Sequence, residues 1–398
     1  LRRLPGQALA AALLITVDQD PPALPRKRMK TRVLVVLDTF NQGGAERQAV
    51  NLIRTLKDTY DFHVLALRST EGPVSDQLME MGVPFSSAGL SQFWGGYKVL
   101  VQNLWKTLWA IRKTKPTLIL PFTHYPSLYA CTTWKFTAAR GCIWNQRDEG
   151  RSFSNGRVEK YALRQATRLI SNSREGQEFI LLMMGWSPDR VGLIHNGVTM
   201  PAAQTTRVQI EADHSGLQGK KWVAMVANLH HHKNQATLIK AWAQLPETLR
   251  QEWVALLVGK PMGTETTLQE LAESLGVQDS VIQLGEMRDI AALDSEIELG
   301  VHFSQKEGVP NAVLEMMYQG KPVVASHIMG CEEALGEGYP YLVDENDLTS
   351  IVQHLTLLIS QAEEREAIGK RNQARVQAEF SIENMASQFH NLLQGILR

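Results

Sequence analysis

Apolar residues recur along this chain in two alternating rhythms. Residues 32–38 form a continuous β-branched and apolar run, the pattern of a strand buried on both faces of a parallel sheet. Gly43 and Gly44 follow, then apolar positions at helical spacing over about 45–56 and a second strand at 63–67. The alternation continues with helices at 74–81, 97–113, 156–166 and 175–183 and strands at 118–121, 142–146, 169–171 and 191–196. It lapses over 201–219, a polar stretch of linker composition. It restarts with strands at 221–227, 253–258, 281–284, 299–303, 322–325 and 341–343, and helices at 235–244, 267–275 and 289–294. This βαβα order predicts doubly wound α/β sheets. Both halves open on a strand, a turn and a helix, so two similar α/β domains facing across a cleft are expected, and such clefts favour ligands.

The chain's 398 residues exceed the usual size of one core, and 44% apolar with 21% charged residues excludes a disordered or fibrous class. Cys131, Cys142 and Cys331 are odd in number and scattered, which argues against a disulfide framework or zinc site and fits a reducing cytosol. Residues 1–28 read as an upstream extension or disordered tail ahead of Met29, because their apolar stretch at 8–17 is too short to span a bilayer. The expected parts are that extension, an N-terminal domain at 29–200, a linker at 201–218, a C-terminal domain at 219–378 and a final helix at 379–398.

Charge divides the halves. Residues 29–200 carry 21 Lys and Arg against 13 Asp and Glu, a net +8, whereas 201–398 carry 15 against 26, a net −11. A basic N-terminal half suits an anionic partner or surface. Segment 93–115 holds Phe93, Trp94, Tyr97, Trp105 and Trp109 with Lys98, Lys106, Arg112, Lys113 and Lys115, and no acid. It reads either as an amphipathic helix for an anionic membrane or as a domain helix with its aromatics in the core.

Ligands of α/β sheets sit beyond the carboxyl ends of the strands, and several unusual residues fall there. Gly43 and Gly44 precede a helix whose first N–H groups are free, so a phosphate or sugar could approach the backbone, or the pair simply makes a tight turn. Lys233 follows the strand at 221–227 and can pair with a diphosphate. Its neighbours His230, His231 and His232 resemble a metal site, but consecutive residues of one loop seldom converge on an ion, and no metal is expected. After the strand at 299–303, Glu307 precedes a tight turn, Asn311 can cap the next helix, and Glu315 lies one turn into it. Two carboxylates around an anion-binding helix start suit a phosphate between hydroxyl-rich ends. An ordinary capped helix with two surface glutamates fits the same residues.

The segment Glu307-Gly308-Val309-Pro310-Asn311-Ala312-Val313-Leu314-Glu315, followed by Gly320-Lys321-Pro322-Val323-Val324-Ala325-Ser326, resembles the EX7E region of family 4 glycosyltransferases of GT-B fold. Gly43-Gly44-Ala45-Glu46-Arg47, Ile194-His195-Asn196-Gly197-Val198, the stretch from Val226 to Asn234, and Gly330-Cys331-Glu332-Glu333 match in the family's order, so the resemblance covers about 31–398. It implies two Rossmann-like domains, with the last helix crossing back to the N-terminal one. It implies a nucleoside-diphosphate sugar as co-substrate and transfer with retention, without a metal or other cofactor. Glu307 would bind the donor sugar and Glu315 the ribose. The backbone of Gly308, Val309, Pro310 and Asn311, with Lys233, Gly43 and Gly44, would hold the diphosphate, and Asn228 would also belong to the donor site. Leu284 and Gly285 would lie beside the base, and His124 near the reacting centre; a lone histidine after a strand can equally be a structural hydrogen-bonder. The family carries an arginine near 228–230 that this sequence lacks; a loop histidine, Lys233 alone or Arg147 from the opposite domain could stand in. Arg147 is thus a candidate phosphate or acceptor contact, or simply an ion-pair partner of Asp148 or Glu149.

The function expected is transfer from a nucleoside-diphosphate sugar, UDP foremost, to a glycan or lipid-linked acceptor. This would serve bacterial surface polysaccharide assembly, in the cytoplasm or peripherally at the inner membrane face, with no nucleic acid involved. A nucleotide-sugar epimerase of similar fold and a non-catalytic sugar-nucleotide-binding subunit are the alternatives. A dinucleotide-dependent oxidoreductase is disfavoured, since neither turn reads GxGxxG with a trailing acid.

Overall fold

A computed structural model describes residues 30–398 other than 42, 94, 155 and 201; the extension read at 1–28 lies outside the described residues. The first sheet comprises β1 (Arg32–Leu37), β2 (Asp61–Ala66), β3 (Phe85–Ser87), β4 (Leu118–Pro121), β5 (Gly141–Gln146), β6 (Arg168–Ser171) and β7 (Val191–Leu193). The second comprises β8 (Lys221–Val226), β9 (Trp253–Val258), β10 (Val281–Gly285), β11 (Leu299–His302), β12 (Val323–Ser326) and β13 (Leu342–Val343). The strands run β3-β2-β1-β4-β5-β6-β7 and β10-β9-β8-β11-β12-β13, each described pairing parallel. This is the expected doubly wound class.

The apolar run of β1 explains its central place. Val33, Val35 and Leu37 enter one core while Leu34 and Val36 enter another, as a strand covered on both faces requires. The final helix, Ile382–Leu397, lays Ile382, Met385, Ala386, Phe389 and Leu393 into the first of those cores. Ser381 caps it by accepting from the Asn384 amide at 3.3 Å, and Phe380 O accepts from Val198 N at 2.8 Å. The chain therefore returns to the first sheet, as the resemblance implied.

Three local features depart from the sequence pattern. The three-residue edge strand β3 is only half-buried, so its apolar signal is weak. Within the polar stretch after 201, Arg207–Asp213 forms a helix with a Thr206/Gln209 capping box, and its Ile210 joins the second sheet's core. The helix Gly96–Thr114 turns its larger aromatics away from the core. It buries Asn103, Thr107 and Ile111, while Tyr97 is 80%, Trp105 62% and Trp109 45% exposed. Its inner face works because the Asn103 amide donates to Gln92 O (2.8 Å) and Tyr129 Oη (3.2 Å). The core reading of these three aromatics is therefore corrected; of the segment's other aromatics, Phe93 is buried. Among the described residues no helix is long and apolar enough to cross a membrane.

Candidate active site

Each sheet reverses its strand order once, between β1 and β4 and between β8 and β11. The loops beyond the carboxyl ends of these four strands carry most of the residues singled out above. After β11 the chain turns through Ser304–Pro310 into the helix Asn311–Tyr318. Pro310, not Asn311, occupies the N-cap, and no side chain caps this helix. Asn311 is drawn elsewhere: its Oδ1 accepts from Asn196 Nδ2 at 2.7 Å, from the loop after β7. The leading amides of the helix thus lack a side-chain partner, which leaves a positive helix end facing the cleft.

Lys233 and Glu307 meet. Lys233 ends a short turn after β8 and ion-pairs with Glu307 Oε1, which also accepts from Ser304 Oγ at 3.2 Å. The β8 and β11 loops are joined beneath them, with Gln305 N donating to His232 O at 3.0 Å. Burial, and after it the Arg151 guanidinium, pull the Lys233 ammonium down to about 8. Cys331 and Glu149 oppose this, and at about 8 Lys233 is still charged at neutral pH. His302 lies behind the pair, its Nε2 3.7 Å from Glu307 Oε1. Burial and then Lys233 hold its imidazole at about 3, so it is neutral and adds no charge.

Glu315 faces the other half of the molecule. Its Oε1 lies 3.0 Å from Arg47 Nη1, on the helix Gly44–Leu56. Burial raises the Glu315 carboxyl, and Arg47 counters it. Gly44 begins the Arg47 helix, and a Cβ there would stand 2.9 Å from Asn311 Nδ2. Its missing side chain lets the two walls close on each other.

Between these walls lies a cavity of about 140 Å³, lined by Gly44, Ala45, Arg147, Glu149, Arg151, Asn172, Asn196 and residues 307–311. A second cavity of about 350 Å³ lies beside it and includes Arg47, Arg288, Asp289, Asn311 and Glu315. Asn311 lines both. Arg147 does not pair with Asp148 or Glu149 as one reading expected. Asp148 accepts from Gln146, Gly150 and Ser152, while Glu149 lies 3.5 Å from Arg151. Arg147 Nη2 instead donates to Asn196 Oδ1 at 2.6 Å, and the guanidinium lies 5.1 Å from the centre of the Phe122 ring. Burial lowers it to about 10, with Glu46 opposing, so it too is charged at neutral pH.

His124 lines neither cavity. It starts the helix His124–Thr133, with Nε2 3.2 Å from Glu159 Oε1 and the Phe153 ring 4.5 Å away. Burial alone would raise Glu159, but His124 and the Ser154 and Gly156 amides outweigh it and hold it at about 2. Gly43, Asn228, Lys233, Leu284 and Gly285 also lie outside both linings, at or just beyond the ends of β1, β8 and β10. Arg151 and Asn172 are cavity residues that sequence reasoning missed. No spacing marks them, because the ends of β5 and β6 bring them in.

This double-sheet cleft agrees with known proteins. One family model, Glycosyltransferase Family 4, matches residues 42–200, and another, Glycosyl transferases group 1, matches 209–375. The chain belongs to the group 1, family 4 glycosyltransferases. The Bacillus anthracis N-acetyl-alpha-D-glucosaminyl L-malate synthase is 25% identical over 192 residues, which are 48% of this chain and 49% of that protein. A Salinispora arenicola D-inositol 3-phosphate glycosyltransferase is 31% identical over 208 residues, 48% of this chain and 46% of that one. The chain thus spans about half the length of these relatives. The crystal structure of Anabaena HepE in complex with UDP and glucose superimposes with a TM-score of 0.78 at 21% identity, covering 92% of this chain and 100% of that one. The fold of this chain is GT-B.

Proposed function

We propose that this glycosyltransferase moves a sugar from a nucleoside-diphosphate sugar, UDP foremost, with retention of configuration, to a glycan or lipid-linked acceptor in bacterial surface polysaccharide assembly. The observation that carries the donor half is the pairing of Glu307 and Glu315 around an uncapped helix start. The small cavity takes the diphosphate and sugar, and the larger one, beside Glu315, takes the nucleoside. The HepE crystal structures with UDP and with UDP-glucose support a nucleotide-sugar donor. A Rhizobium meliloti relative named for lipopolysaccharide core biosynthesis, LpsB, supports the polysaccharide setting.

Lys233 and the leading amides of the Asn311–Tyr318 helix carry the leaving group's charge, so no metal is required. Glu307 accepts from the sugar's hydroxyls and fixes its orientation. The C1–O bond to the β-phosphate breaks with its electron pair on the phosphate. The acceptor oxygen bonds C1 from the same face, and its proton passes to that phosphate oxygen. Closure of the cleft aligns the partners and excludes water.

The acceptor half rests on the outward aromatic stripe of Gly96–Thr114, flanked by exposed Lys98 and Lys113, which suits a peripheral site on an anionic membrane. A binding and turnover screen of UDP-, GDP-, ADP- and dTDP-sugars tests the donor reading. One donor should bind and be consumed only with acceptor, and Glu307→Ala should cut turnover more than about 100-fold. Conversion of the donor sugar without acceptor, or near-normal transfer by the variant, would overturn it.

A further inference from the structure

We infer that Arg147 neutralises the donor's diphosphate, reaching from the first sheet to replace the arginine that the β8 loop lacks. This rests on the donor reading above. Arg147 follows β5, and part of its side chain opens on the small cavity that Gly44 and residues 307–311 also line. One bond holds the guanidinium, from Nη2 to Asn196 Oδ1, and Asn196 in turn donates to Asn311 at the head of the helix. Nε and Nη1 are buried without a partner, and no described carboxylate forms an ion pair with Arg147. Asp148 and Glu149 are committed elsewhere, and Glu46 acts only at longer range.

A guanidinium stays protonated, so burying it unpaired works against the fold unless an anion completes the site. The cavity that Arg147 lines supplies a place for that anion beside the uncapped amides of Asn311–Tyr318. The planar fork fits two phosphate oxygens, which an ammonium does not match. As the C1–O bond breaks, the electron pair left on the β-phosphate then forms against a fixed positive charge.

The test uses the full chain, Arg147→Met and Arg147→Lys. It measures calorimetric affinity for UDP (or the nucleoside diphosphate the donor screen selects), inorganic pyrophosphate and the bare nucleoside, together with thermal unfolding. Arg147→Met should bind the two phosphate ligands about 10- to 100-fold more weakly, as loss of charge-assisted hydrogen bonds implies. Nucleoside affinity should not change, and Arg147→Lys should recover part of the loss. The ligand-free Met variant should melt at the wild-type temperature or above, because an unpaired buried charge has gone. Unchanged UDP affinity, weakening shared equally by the nucleoside, or an effect confined to acceptor KM would each overturn the inference. So would a lowered melting temperature with the UDP-to-nucleoside ratio intact. A wild-type protein that binds no nucleoside diphosphate would instead sink the donor reading.

Discussion

Replacing Trp105 and Trp109 with serine should release the protein from anionic bilayers without unfolding it. The two indoles are 62% and 45% exposed, and neither belongs to the buried core, so the fold should survive their loss. An aromatic side chain buries up to about 250 Å², which leaves roughly 155 and 110 Å² of these rings facing outward. At about 25 cal/mol per Å², full immersion would be worth about 4 and 3 kcal/mol. A helix lying at the interface immerses about half of that face, so the pair contributes roughly 3 kcal/mol, or about a 100-fold change in partitioning. Charge should add to it. Lys98 and Lys113 are exposed, and each contributes about 1 kcal/mol near an anionic surface. They suit neutralisation better than Lys106 and Arg112, which donate to Gly89 O (3.1 Å) and Phe136 O (2.9 Å) and so support the fold. Co-sedimentation with phosphatidylglycerol-containing and pure phosphatidylcholine vesicles gives the readout. Equal binding by wild type and the Trp variant, or no preference for the anionic vesicles, would refute the docking face.

Other expectations follow from the cleft. Lys233, held at about 8, should lose its charge as pH rises through that value, so UDP affinity should fall above about pH 8 in wild type but not in Lys233→Met. The same group binds fewer protons folded than unfolded between about 8 and 10.5, so its contribution to stability rises with pH across that window, as denaturation at several pH values will report. Gly44→Ala should keep or slightly raise the melting temperature, since alanine favours a helix by up to about 1 kcal/mol. It should nonetheless weaken donor binding, because its methyl would stand 2.9 Å from Asn311 Nδ2 across the cleft. Phe389→Ala should cost about 3–5 kcal/mol in urea titration, because that ring is fully buried between the last helix and the first sheet.

Much of the fold was legible because parallel strands are buried on both faces. Runs such as 118–121 and 253–258 stand out without any alignment and match β4 and β9 to the residue. Helix polarity was less legible: the indoles of Gly96–Thr114 carry the stronger apolar signal, yet Asn103 faces inward because Gln92 and Tyr129 satisfy its amide there. At the site, Glu307, Glu315 and Lys233 could be singled out from their places after strands. Nothing in the spacing foretold that Lys233 would pair with Glu307 or Arg47 with Glu315, because those partners lie far apart in the chain.

By itself the sequence determined the alternation of strands and helices, the two sheets and the segment 307–315. These depend on local periodicity and on one motif read in register. Only the tertiary structure decided which side chains share the cavity. Arg147, Asn172 and Asn196 come from three separate strand ends, and meet because parallel strands deliver their carboxyl ends to one edge of the sheet. His124, from a neighbouring strand end, is turned instead toward Glu159 and Phe153. Burial then sets the chemistry, leaving Arg147 charged and short of partners where a phosphate would complete it.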